Sequence, residues 1–218
     1  MSAPIGETRR VVLYTANERF WHWTQAALII GLLLTGGALR YPGAFPAGAF
    51  AAAVTAHNLL AGLLLVHAVL GLFYFVTTGQ IRHYVVERAG LKEGLIKQVV
   101  FYAYGMFKGF GHPFQASERR RLNLLQRLSY LGLLNVLLPL QVLTGLALFF
   151  AEDLPALVAG LGGFPVLMSV HAVAAWSFLA FLVMHIYLTT TGHTVFEHLG
   201  PIVHGEAEVP AEPTEGLS

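Results

Sequence analysis

The chain has 218 residues, 56% hydrophobic and only 11% charged, whereas a soluble domain carries about 25% charged residues. That balance excludes a wholly water-surrounded domain and makes lipid the main solvent. The net charge is +1 and there are no cysteines, which excludes disulfides, thiolate-held iron–sulfur clusters and covalent c-type haem attachment.

Residues 1–19 form a polar leading segment. They hold no long apolar run with a small-residue cleavage site, so no removable secretory signal is expected. Phe20 to Leu39 is the first stretch long enough to cross a hydrocarbon core, which takes about 20 helical residues. A short Pro- and Gly-rich link, RYPGAFPAGAF, leads to the second stretch, Phe50 to Val76. A long basic connector, residues 77–127, follows. Within it, Leu91 to Phe110 mixes apolar residues with Lys92, Lys97 and Lys108, which suits either an amphipathic helix on the membrane surface or a partner-docking face. The third stretch is Leu128 to Ala151 and the fourth is Phe164 to Leu188, joined by a link without basic residues. Helix is the expected conformation, because lipid offers no water to open strand edges. The expected fold is therefore all-α, an integral membrane four-helix bundle spanning residues 20–192. Residues 193–218 form an acidic tail with the composition of a partly disordered segment.

Twelve of the thirteen Lys and Arg residues lie before the first span or in the long connector; the other is Arg40. The positive-inside rule then places both termini and the connector in the cytoplasm. The run ERRRLN reads as a membrane flank, and no nucleic-acid partner is expected.

His171 and His185 lie fourteen residues apart in the fourth stretch. On a helix they are about 40° apart around the axis and about 21 Å apart along it. His57 enters the second stretch from the far side, and His22 sits near the cytoplasmic end of the first. Depth alone pairs His22 with His185 and His57 with His171. Polar groups inside a membrane are costly and face a bundle interior, a cavity or a cofactor. Neutral imidazoles are good axial ligands for haem iron, so the four suit two stacked haems between the helices. Any one of them is explained as well by an interhelical hydrogen bond. His67 is the rival to His57, about 80° round the helix and about 15 Å deeper. Arg40 on the far side and Arg19 on the cytoplasmic side are candidate partners for anionic haem propionates, or ordinary interfacial cations.

Several segments carry a resemblance: ERFWHW with a later LTG, AHNLLAGLL, RRLNLLQRLSY, LTGLALFF, and SVHAVAAW through VMHIYLTTTGHT. Over about residues 14 to 195 the chain resembles the cytochrome b subunits that anchor membrane oxidoreductases, above all the formate dehydrogenase gamma-subunit type. Related subunits serve hydrogenases and thiosulfate reductases. The resemblance implies two b haems with bis-histidine ligation, one held by His57 and His171, the other by His22 and His185. It implies a site for menaquinone or ubiquinone by the cytoplasmic haem, with Asn123 at the family's asparagine position and Gln126 and His193 as weaker candidates. Arg119 to Arg121 depart from the less basic stretch expected there. It further implies an iron–sulfur or other redox partner subunit on the non-cytoplasmic side. The chain would then be an electron-transfer subunit rather than a complete enzyme, with no catalytic residue of its own. A stand-alone quinol-oxidising cytochrome b would use the same histidines. A haem-free proton transporter would use them without a cofactor.

Overall fold

The structure is a computed structural model that describes residues 8–46, 48–84, 86, 90–110, 122–190 and 199–210. In chain order it comprises strand β1 (Thr8–Val12) and helices α1 (Ala16–Arg40), α2 (Ala49–Thr77), α3 (Leu91–Val100), α4 (Leu124–Gly132), α5 (Leu138–Phe149), α6 (Pro155–Gly160), α7 (Phe164–Thr189) and α8 (Gly200–His204), ending in strand β2 (Glu206–Pro210). Four helices are long and apolar enough to cross a membrane: Ala16–Arg40, Ala49–Thr77, Leu124–Phe149 and Phe164–Thr189. Their apolar side chains are largely exposed in the chain itself, among them Val66, Phe73, Leu143 and Val173. Such a belt is stable only against lipid. The protein is thus an all-α, multi-pass membrane protein with one short β ribbon.

Two spans begin earlier than their apolar runs. Thr15 and Glu18 form a reciprocal cap: the Glu18 N–H donates to Thr15 Oγ1 at 3.2 Å, and the Thr15 N–H donates to Glu18 Oε2 at 2.7 Å. This satisfies free N–H groups of the first turn and starts α1 at Ala16 rather than Phe20. Asn123 and Gln126 do the same for the third span. The Gln126 N–H donates to Asn123 Oδ1 at 2.8 Å, and the Asn123 N–H donates to Gln126 Oε1 at 3.0 Å. The helix therefore starts at Leu124, not Leu128. It widens into a π turn over Leu133–Leu137, just before Pro139. Pro139 has no N–H for the Asn135 carbonyl and crowds it, which a wider turn relieves.

The chain divides into two compact units. One unit is drawn from Met1–Arg19, Arg82–Ser129 and Thr189–Ser218, the three segments that the charge pattern assigns to one side. Here β1 and β2 pair antiparallel, from Thr8 opposite Pro210 to Val12 opposite Glu206. The Leu13 and Tyr14 N–H groups both donate to the Gly205 carbonyl, at 2.8 and 3.1 Å. Gly205 has φ +95°, and a Cβ there would meet the Tyr14 carbonyl oxygen at 2.8 Å, so only glycine fits. Val11 of β1 and Leu13 just after it are buried, packed with Tyr14 and Ala207. Residues 206–210 of the acidic tail are thus a paired strand. In the same unit the Leu125 N–H donates to Gln98 Oε1 of α3 at 2.8 Å, tying the connector to the start of the third span. Past α3 the Leu91–Phe110 stretch continues as a π turn and a 3-10 turn, and leaves Ile96, Val99, Tyr104, Phe107 and Phe110 exposed.

The second unit, Phe20–Ile81 with Tyr130–Leu188, holds the bulk of all four spans and all five intramembrane histidines.

The cap at the start of α1 has a measurable consequence. Thr15→Ala should destabilise the purified chain by about 1 kcal/mol. Thr15→Ser should lose only a small part of that. Melting followed by circular dichroism in detergent reads both; equal melting of Thr15→Ala and wild type would show that the cap contributes nothing.

Candidate haem site

The structure brings together the four histidines that the sequence paired by depth. The ring centres of His22 and His185 are 6.2 Å apart, and those of His57 and His171 are 6.3 Å apart. Each pair joins α7 to another span, α1 in one case and α2 in the other. With metal–imidazole bonds of about 2.0–2.1 Å, and ring centres about 1.1 Å behind the bonding nitrogen, two rings sharing one ion stand about 6.3 Å apart. Both pairs meet that spacing. Among the described residues no three His, Asp or Glu side chains gather into a larger metal cluster. The donors come in twos, which matches the two axial positions of a haem iron.

The His57 and His171 rings are held alike. Thr35 Oγ1 lies 2.8 Å from the Gly31 carbonyl and 2.9 Å from His57 Nδ1. Thr144 Oγ1 lies 2.7 Å from the Leu140 carbonyl and 2.9 Å from His171 Nδ1. A hydroxyl has one proton and a carbonyl has none. For both contacts to be hydrogen bonds, the threonine donates to the carbonyl and accepts from the imidazole Nδ1–H. The proton is therefore on Nδ1, and the Nε2 lone pair is left for a metal. The Gln141 amide donates to His171 Nε2 at 3.0 Å and marks the same lone pair; it must yield that position to a ligated iron. Gln141 Oε1 is buried without a hydrogen-bond partner.

Each of these threonines is followed by a glycine that gives the ring its room. A Cβ on Gly36 would stand 3.3 Å from His57 Cε1, and one on Gly145 would stand 3.2 Å from His171 Cε1. The two LTG tripeptides, Leu34–Gly36 and Leu143–Gly145, are thus one device used twice: a hydroxyl to orient the ring and a missing side chain to admit it. Read singly in the sequence, LTG is too short to carry meaning. Its recurrence on two spans was the available signal for Thr35, Gly36, Thr144 and Gly145, and Gln141 had only its polarity within a span.

The His22 and His185 rings are held differently. His185 lies flat against Phe181, with centres 5.7 Å apart and planes at 9°. His22 Nδ1 is buried without a hydrogen-bond partner. Among the described residues His67 faces no other histidine. Its Nε2–H donates to the Trp21 carbonyl at 3.2 Å, and its ring packs on the Trp21 indole at 4.0 Å. That bond occupies its Nε2, and the ring that stands opposite His171 is that of His57.

The other candidates occupy varied settings. Arg40 lies over the Tyr41 ring at 5.1 Å and, with Met168, Ser169, Ala172 and Trp176, lines an open cavity of about 460 Å³. Arg19 Nη1 donates to the Val203 carbonyl at 2.6 Å, which ties the start of α1 to the C-terminal segment. Asn123 is almost wholly buried, with its Oδ1 engaged by Gln126 and its Nδ2 donating to the Tyr102 hydroxyl at 3.2 Å. Burial pushes the Tyr102 hydroxyl above its ordinary range, partly offset by the Asn123 bond, so it stays protonated. His193 and Arg119 to Arg121 lie outside the described residues.

Four spans holding opposed imidazole pairs define a membrane-embedded b-type cytochrome. The family model for prokaryotic cytochrome b561 matches residues 13–205, and the chain belongs to that family. It is also 34% identical, over 197 residues, to a protein of Escherichia coli (strain K12) named as a cytochrome, YdhU; the match covers 90% of this chain and 74% of that protein. No solved structure matches it significantly. Membership makes the chain a membrane cytochrome b that binds haem b and takes part in transmembrane electron transfer, and it sets aside the haem-free transporter.

The glycine cradles are directly testable. Gly145→Ala should push the His171 ring aside and lower the haem-to-protein ratio of the purified chain. Gly37→Ala, whose added Cβ meets nothing within 4 Å, should leave the ratio at the wild-type value. Full haem content in Gly145→Ala would show that the close approach is not needed.

Proposed function

We propose that this cytochrome holds two b haems, one between His57 and His171 and one between His22 and His185. The observation that carries this reading is the pair of matched ring separations on a single helix, with partners at positions about 21 Å apart along it. Each bound haem iron supplies one-electron chemistry, cycling between ferric and ferrous. The residues supply the rest. The four imidazoles hold the irons by Nε2, the threonines and Phe181 fix ring orientation, and the apolar spans exclude water.

In this reading the chain is the membrane anchor of a multi-subunit oxidoreductase of the formate dehydrogenase gamma-subunit kind. Both termini are cytoplasmic, and a redox partner subunit docks on the far side of the inner membrane. Electrons pass between that partner and the quinone pool, and the quinone reacts near the cytoplasmic face. The charge pattern supports the sidedness, because the three segments assigned to the cytoplasm make up one compact unit. Arg40 and Arg19 are proposed partners for haem propionates. Asn123 enters as a quinone residue through the resemblance. Its amide also caps the third span and bonds Tyr102, so quinone contact there competes with structural bonds.

His185→Ala and His57→Ala should each lose one of the two haems and keep the other, as read by haem extraction and by low-temperature absorption spectra. A wild-type ratio of one haem per chain would end the dihaem reading. Asn123→Ser retains a capping side chain and removes the amide. It should keep both haems and slow quinol oxidation or quinone reduction at least tenfold; unchanged turnover would remove Asn123 from the quinone site.

A further inference from the structure

The two histidine pairs are not equivalent in what stands behind them. Both rings of the His57–His171 pair donate Nδ1–H to a threonine hydroxyl, at 2.9 Å in each case. Among the described residues no hydroxyl bonds either ring of the His22–His185 pair. His22 Nδ1 is buried without a partner, and His185 has a flat aromatic stack on Phe181. A hydrogen bond given by the far nitrogen of a ligating imidazole pushes electron density toward the metal-bound nitrogen and makes the ligand more basic. A more basic ligand favours ferric over ferrous iron, and second-shell hydrogen bonding is one of the protein's levers on haem potential.

We propose that Thr35 and Thr144 are positioning residues that make the His57–His171 haem the lower-potential of the two. This rests on the dihaem reading. The geometry is specific to the purpose. Each hydroxyl gives its single proton to the carbonyl four residues earlier in its own helix, at 2.8 and 2.7 Å, so it is held as an acceptor toward the imidazole. Gly36 and Gly145 place the ring within reach of that oxygen. The same arrangement on both axial ligands of one haem, and on neither ligand of the other, gives the chain a built-in electrical polarity. With both haems bound, a one-electron transfer between them would oxidise the ferrous iron held by the first pair and reduce the ferric iron held by the second. That transfer is downhill from the His57–His171 pair to the His22–His185 pair. With the sidedness proposed above, the direction favours electrons supplied by a reductant on the far side and consumed by an oxidant at the cytoplasmic face. Quinone reduction is such a step, taking up two electrons and two protons per quinone.

The test is a potentiometric titration of the full-length purified chain in detergent, with haem content measured on the same samples. Wild type should show two midpoints. Thr144→Val and Thr35→Val, which keep the shape and remove the hydroxyl, should each raise the lower midpoint and leave the higher one in place. Thr144→Ser and Thr35→Ser, which restore a hydroxyl, should return it toward the wild-type value. A mere packing role would respond to loss of the methyl group in the serine variants instead. If a valine variant fails to hold haem, His185→Ala gives an independent reading: its remaining haem should titrate at the lower midpoint. Two haems with neither midpoint moved by the valine variants, or a His185→Ala haem at the higher midpoint, would overturn the polarity while leaving the dihaem reading standing. A wild-type chain with one haem or none would overturn both.

Discussion

Inside a bilayer an imidazole has no water to complete its hydrogen bonds, so the chain itself must occupy both ring nitrogens or leave one for a metal. Most of the site's structure follows from that constraint. His67 meets it by donating to the Trp21 carbonyl and packing on the indole, and so serves as a tie between α1 and α2. His57 and His171 meet it at Nδ1 through threonine, with the Gln141 amide also on His171 Nε2, and their ring centres stand 6.3 Å apart. What separates His67 from His57 and His171 is therefore which nitrogen the chain has already used: Nε2 in the first and Nδ1 in the other two.

The close approach of helices is the second requirement. A ring on one span reaches a hydroxyl on another only if no side chain stands between them, and Gly36 and Gly145 remove that obstacle. Threonine is suited to the task because a helical hydroxyl can donate back to the carbonyl four residues earlier and still accept from outside. In this family member the tripeptide LTG thereby links a helix-packing feature to the orientation of an intramembrane imidazole.

Much was legible in the chain before any coordinates. The four spans follow from apolar run length, and the common side of the basic segments from the positions of Lys and Arg. The pairing of His22 with His185 and of His57 with His171 follows from the order and alternating direction of the spans together with helical rise, with His67 left as a rival to His57. At α1 and the third span the helix begins about one turn before the apolar run. The Thr15–Glu18 and Asn123–Gln126 caps extend those helices beyond the apolar run, and the polar cap signal is short against a long hydrophobic one. Asn123 shows a related tension: the resemblance implies a quinone contact for it, whereas its side chain is already engaged by a helix start and a tyrosine.

The sequence by itself determined the membrane class, the number of spans, the segments in which basic charge collects and the spacing of the histidines along each span. These depend on composition and on distance along one helix, which are local properties. Only the tertiary structure decided that His57 rather than His67 faces His171, that Thr35 and Thr144 hold one pair while Phe181 stacks on the other, and that two glycines make the approach possible. Those facts depend on how each helix is rotated about its own axis. Rotation is settled by packing between spans distant in sequence, and in a nearly uniform apolar helix no periodic pattern announces it.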